Sequence, residues 1–206
     1  MTGGPTEEAP ADPRAELLRM AAADRVLRAK LAATGALFEG YDEEMAALHR
    51  WHAHSLGELI DAHGWPGRGL VGEDGAEAAW IVLQHAIGDP ALMRRCLPLL
   101  EAAAEAGEAP AWQVAYLADR IRVLEGRPQR FGTQFDWDAE GRLSPLPVEA
   151  PETLDIRRAA LGLAPMAEAV EARRRAAAAE GEGPPPDPAA RRAAFEAWAV
   201  RTGWRR

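Results

Sequence analysis

Between residues 74 and 88 the chain carries Ala76, Ala78, Ala79, Trp80, Ile81, Val82, Leu83, Ala86 and Ile87 with almost nothing polar among them. Wound at 100° per residue, these side chains leave no polar face, so a helix here belongs in the middle of a fold. Asp74 or Gly75 is its expected start. Its few polar groups, Glu77, Gln84 and His85, then need partners or a cavity, because an unpaired buried polar group costs about 1–3 kcal/mol.

The flanking segments supply the layers around it. Residues 14–34 interleave charges with Leu17, Leu18, Met20, Ala21, Val26, Leu27 and Leu31, an amphipathic helix expected to end near Gly35. Asp42 caps a second helix over residues 43–62, with Met45, Leu48, His52, Leu56, Leu59 and His63 on its inner side. By the same projection His49 lies at the edge of that face and His54 points away. Gly64 fits the left-handed cap that follows, and Trp65-Pro66-Gly67 redirects the chain. Asp89-Pro90 opens a fourth helix and Pro110 a fifth; on the fifth, Asp119 shares a face with Trp112, Ala115, Tyr116 and Val123. A carboxylate in such surroundings needs a cation or several donors.

Residues 129–137 change period. Phe131, Thr133, Phe135 and Trp137 alternate with Arg130, Gly132, Gln134 and Asp136, which predicts a strand, a turn at 138–141 and a short return strand. Two strands are marginal alone, so the hairpin must pack on helices. The chain as a whole is read as mainly α, a single helical domain of about six to eight helices with one small β-hairpin. Residues 1–13 read as a disordered tail, 14–179 as the domain with its hairpin near 129–146, 180–187 as a Pro/Gly linker, and 188–206 as a C-terminal helix docking back through Phe195, Trp198 and Trp204.

Composition excludes several classes. Lys plus Arg number 24 against 32 Asp plus Glu, a net charge of −8, which disfavours nucleic acid and anionic membrane surfaces as partners. No apolar run reaches membrane-span length. The single Cys96 rules out an internal disulfide and sits among Leu92, Met93, Leu99 and Leu100, as a structural thiol in a reduced, cytoplasmic setting would.

Several motifs in order resemble a bacterial family known as domain of unknown function 6624. They are His63-Gly64-Trp65-Pro66-Gly67, Val71-Gly72-Glu73-Asp74-Gly75, Gln84-His85-Ala86, Arg95-Cys96-Leu97-Pro98-Leu99, Tyr116-Leu117-Ala118-Asp119-Arg120, residues 126–134, and Arg157-Arg158 through Gly162-Leu163-Ala164-Pro165. The resemblance covers residues 40–170. Members of that family often carry Tyr where this chain has Phe131 and Asp where it has Ile87. The family's name carries no reaction, and the resemblance implies that the histidines around His52 lie outside the shared motifs.

The sequence supports two functional readings. In one, the chain is a hydrolase- or lyase-like enzyme for a small polar metabolite: His63 or His85 is the general base, Asp119 or Glu77 its orienting acid, and Trp65, Gln84, Arg130 and Gln134 bind substrate. No activated nucleophile or phosphate loop is evident, so water would be the attacking group. In the other, the same polar groups form a satisfied network in a ligand-binding or protein-interaction module. A divalent metal held by His63, His85 and Asp119 has no support from local spacing, and His49 with His52 alone is a weak signal, so no metal and no cofactor are assigned.

Overall fold

The computed structural model describes residues 12–34 and 41–206. Among them are eight α-helices and one two-stranded antiparallel hairpin, so the protein is mainly α. In chain order these are α1 (Pro13–Thr34), α2 (Glu43–His63), α3 (Arg68–His85), α4 (Pro90–Glu105), α5 (Ala111–Leu124), β1 (Phe135–Trp137), β2 (Leu143–Pro145), α6 (Leu154–Ala160), α7 (Met166–Ala179) and α8 (Pro188–Arg201). Among the described residues no helix is long and apolar enough to cross a membrane. Residues 1–11, most of the expected tail, and 35–40, including the expected stop at Gly35, lie outside the described residues.

The helix starts follow from local chemistry. Asp42, Asp89 and Asp187 each accept a backbone N–H three residues on, from Met45 at 3.0 Å, Leu92 at 2.9 Å and Ala190 at 2.8 Å. Pro90 and Pro188 occupy first-turn positions where a missing N–H costs nothing. Gly64 closes α2 at φ 76°.

The apolar segment takes the centre. Val71, Ala78, Ala79, Trp80, Val82 and Leu83 of α3 are buried with Leu17 and Met20 of α1, Leu56 and Ile60 of α2, Met93, Cys96 and Leu100 of α4, and Leu117 and Ile121 of α5. Its start differs from the sequence expectation. A first helical turn forms from Arg68, and Gly72, at φ 73° and ψ 173°, breaks the axis before the longer part. The Arg14 guanidinium grips Asp74 at 3.0 and 2.6 Å, which holds the α1 start against that break. At the other end of the chain Trp204 is buried and donates its indole N–H to the Ile87 carbonyl at 2.7 Å, so α8 lies on the same core.

The hairpin is shorter than its alternating pattern. Phe135, Asp136 and Trp137 pair with Pro145, Ser144 and Leu143, while residues 130–134 form no strand. Their amides are already taken: Asp119 accepts the N–H groups of Arg130, Phe131 and Thr133, and Gln129 Oε1 accepts that of Gln134 at 2.8 Å. Side chains outcompete a second strand for these donors.

Candidate functional site

Three helices bring one polar cluster together. Asp24 of α1 is 3% exposed, and its Oδ2 lies 2.7 Å from His49 Nε2 of α2 and 2.8 Å from His85 Nδ1 of α3. The two imidazoles stack with ring centroids 5.0 Å apart. On its far side His49 Nδ1 meets the Tyr41 hydroxyl at 2.8 Å. Tyr41 in turn stands edge-on to Trp198 of α8, centroids 6.1 Å apart.

Electrostatics fix the roles. Burial by itself would push the Asp24 carboxyl up, but hydrogen bonds from His49 and His85 hold it well below the usual carboxylate range. An ionised oxygen can only accept, so His49 presents Nε2–H and His85 presents Nδ1–H to it. Burial pushes the Tyr41 phenol above its ordinary range, and as a neutral hydroxyl it donates to His49 Nδ1. His85 Nε2 is the ring nitrogen that Asp24 leaves unengaged. The His85 side chain is 29% exposed against 4% for Asp24 and 8% for His49, so it is the member solvent reaches.

A third imidazole sits one turn further along α2. His52 is 1% exposed, and among the described residues neither ring nitrogen has a hydrogen-bond partner. Burial lowers its affinity for a proton to a pKa of about 4; Asp24 opposes that, while His49 and His85 reinforce it.

The residues singled out from sequence are distributed differently from the expected constellation. His85 is in the cluster, but its carboxylate partner is Asp24 and neither Asp119 nor Glu77. His63 and Glu77 are exposed: the last turn of α2 runs past the core, and the α3 face carrying Glu77 opens to solvent. Asp119 is fully buried, yet four donors already occupy it. Arg130 N–H lies at 2.6 Å, Phe131 N–H at 3.1 Å from each oxygen, and the Thr133 N–H and hydroxyl at 3.0 Å. It is the anchor of the 130–133 loop. Arg130 is exposed and pairs with Glu149 at 3.1 Å, while Trp65 is half-buried against the core. Gln84 gives its backbone carbonyl to Arg120 at 2.5 Å, and Gln134 accepts from the same guanidinium at 3.3 Å. Gly132 in the 130–133 loop is closely covered: a Cβ there would lie 2.7 Å from Met166 Sδ.

Asp24 and Tyr41 were not singled out from sequence, and His49 entered only beside His52 as a metal pair that was not assigned. The signal was present for Asp24 and His49. Asp24 continues the apolar stripe of Leu17, Met20, Leu27 and Leu31, and His49 that of Met45, His52 and Leu56, at spacings of three, four and seven residues that place an acid and a base in core positions. Two surface hollows, of about 300 Å³ between α2 and α4 and about 480 Å³ along α7, include none of the cluster residues.

A family model described as "Family of unknown function (DUF6624)" matches residues 11–179. No curated protein and no solved structure matches the chain.

Proposed function

The chain belongs to the Family of unknown function (DUF6624), whose description names no reaction, and we propose from its geometry a hydrolase- or lyase-like enzyme that acts on a small polar molecule at the Asp24, His49 and His85 cluster. The observation that carries this reading is the 2.8 Å contact between a buried carboxylate and the inner nitrogen of a half-exposed imidazole. Asp24 fixes the tautomer and orientation of His85, and the outward Nε2 removes a proton from water or from the substrate. His49, held between Asp24 and Tyr41, keeps the carboxylate in place and supplies its second donor. The reacting group approaches from an open surface, so a compact polar substrate suits the site better than a large apolar one. A buried lone thiol and the acidic net charge favour a reducing, cytoplasmic setting with no nucleic-acid partner.

A second reading is a non-catalytic binding or interaction module built on the same network. It is favoured by the two surface hollows lying away from His85.

The test is turnover of a panel of small esters, amides and hydroxy acids by the wild-type protein and by His85→Gln. Enzyme action predicts turnover by the wild-type protein that falls by about 10²–10⁴-fold in the variant, with circular dichroism showing the variant still folded. No turnover on any substrate, together with a stability loss of about 1 kcal/mol or more in His85→Gln, would transfer the case to the binding module.

A further inference from the structure

We infer that Asp24, His49 and His85 together bind one divalent transition-metal ion, of the zinc, cobalt or nickel kind. The inference takes from the proposed function only the location of the working centre: with an ion on His85 Nδ1 the ring carries its proton on Nε2, so in the loaded protein a metal-bound water replaces Nε2 as the base.

Three helices each contribute one donor atom, Asp24 Oδ2, His49 Nε2 and His85 Nδ1, and all three atoms lie within 4.8 Å of one another. Two imidazoles and one carboxylate form a donor set suited to borderline divalent metals, and its lack of thiolate disfavours copper(I) and iron–sulfur clusters. The two contacts to Asp24 fit an ion with small adjustment, and the two imidazole nitrogens, within 4.8 Å of each other, must settle at the same separations. At metal–ligand distances of about 2.0–2.1 Å, neighbouring ligand atoms stand about 3.0 Å apart in an octahedral site and about 3.4 Å in a tetrahedral one. The two contacts to Asp24 are 2.7 and 2.8 Å, so each must open by only about 0.2–0.7 Å. Side-chain rotation supplies that. Each ring changes tautomer as the ion enters: the proton now shared with the carboxylate is given up from the coordinating nitrogen and the ring carries one on its other nitrogen, on His49 Nδ1, which then donates to the Tyr41 oxygen, and on His85 Nε2.

The surroundings point the same way. A metal-binding histidine is normally held through its other ring nitrogen, and His49 Nδ1 has the Tyr41 hydroxyl at 2.8 Å for this purpose. Burial of Asp24 and His49 shields the ion, while the 29% exposure of His85 leaves an approach for exchangeable ligands. Three protein ligands leave at least one coordination position free. An independent sign is His52, buried to 1% exposure beside this cluster with both nitrogens unpartnered among the described residues. Its nitrogens are not among the converging atoms, so it is not a ligand, and its two unpartnered nitrogens leave it free to bond a water brought in by the ion.

The test uses the full-length, untagged protein freed of metal by a chelator. Cobalt(II) is titrated in, followed by its visible absorption, and zinc affinity is read by competition with a chromophoric chelator. The expected result is one ion per chain, at least 100-fold weaker binding in His49→Gln and in His85→Gln, and a loss of about 10–100-fold in Tyr41→Phe, which removes only the outer hydrogen bond. Circular dichroism and melting of each variant establish that it is folded, and Tyr41→Phe keeps the test decisive if a ligand variant is not. His54→Gln, altering an exposed histidine, leaves affinity unchanged. Absence of saturable one-to-one binding, or binding that persists in a folded His49→Gln/His85→Gln double variant, overturns the inference. Metal bound with no turnover in either the loaded or the chelator-treated protein would refute the enzyme reading alone, and turnover in the chelator-treated protein without metal binding would refute the metal alone.

Discussion

Replacing Asp119 by asparagine separates a structural carboxylate from a catalytic one. The wild-type side chain accepts three backbone N–H groups and one hydroxyl in a fully buried position. Asparagine turns one oxygen into an NH2 group. If that group replaces Oδ2, the Thr133 hydroxyl can rotate to accept from it, but the Thr133 N–H then faces a donor; if it replaces Oδ1, the Arg130 N–H does. One orphaned amide costs about 1–3 kcal/mol, and the loss of charge assistance on two remaining bonds adds about 1 kcal/mol each. Burial pushes the Asp119 carboxyl upward, so removing its charge recovers part of the sum. The net expectation is a destabilisation of about 2–4 kcal/mol, which at a urea slope of about 2 kcal/mol/M moves the midpoint down by about 1–2 M. Urea unfolding followed by tryptophan fluorescence measures it, and hydrogen exchange should show the Arg130 or Thr133 amide losing protection first. A loss below about 1 kcal/mol with those amides still protected would refute the anchoring role. It would leave Asp119 free to orient another group.

Two further outcomes follow from burial. His52 titrates near 4 in the folded protein against about 6.5 in the unfolded chain, so the unfolded state takes up the proton first: stability is intact above pH 6.5, falls as pH drops toward 4, and the loss reaches about 3 kcal/mol. His52→Leu removes that part of the slope in urea midpoints measured across the interval, and an unchanged slope would show that His52 already has a partner. Gly132 holds φ 68° against Met166 Sδ, so Gly132→Ala combines left-handed strain of about 1–2 kcal/mol with a steric clash. Adding Met166→Ala should recover the clash portion alone, and full recovery would contradict the strain.

Much of the architecture could be read locally because its signals are local. Asp42, Asp89 and Asp187 cap within three residues, Pro90 and Pro188 sit where their missing N–H is harmless, and the run around Trp80 has nowhere to go but the core. The alternation over residues 129–137 overstates the strand because period two says nothing about who accepts the amides. Gln129 and Asp119 claim them before a partner strand can. The site was harder to see. Asp24 meets His49 and His85 across 25 and 61 residues of chain, a pairing that helix packing decides and no spacing rule contains. His63 illustrates the reverse error: its position on the projected inner face is sound, but the face itself ends one turn earlier, where Ile60 is the last buried residue of α2.

The most direct measurement is the long-range nitrogen–proton NMR spectrum of the histidine rings in the metal-free protein, with Asp24→Asn as comparison. A carboxylate delivered by the first helix predicts a slowly exchanging proton on His85 Nδ1, a bare Nε2 on the same ring, and loss of that pattern in the variant. A His85 ring carrying its proton on Nε2, with the same spectrum in both proteins, would contradict the account.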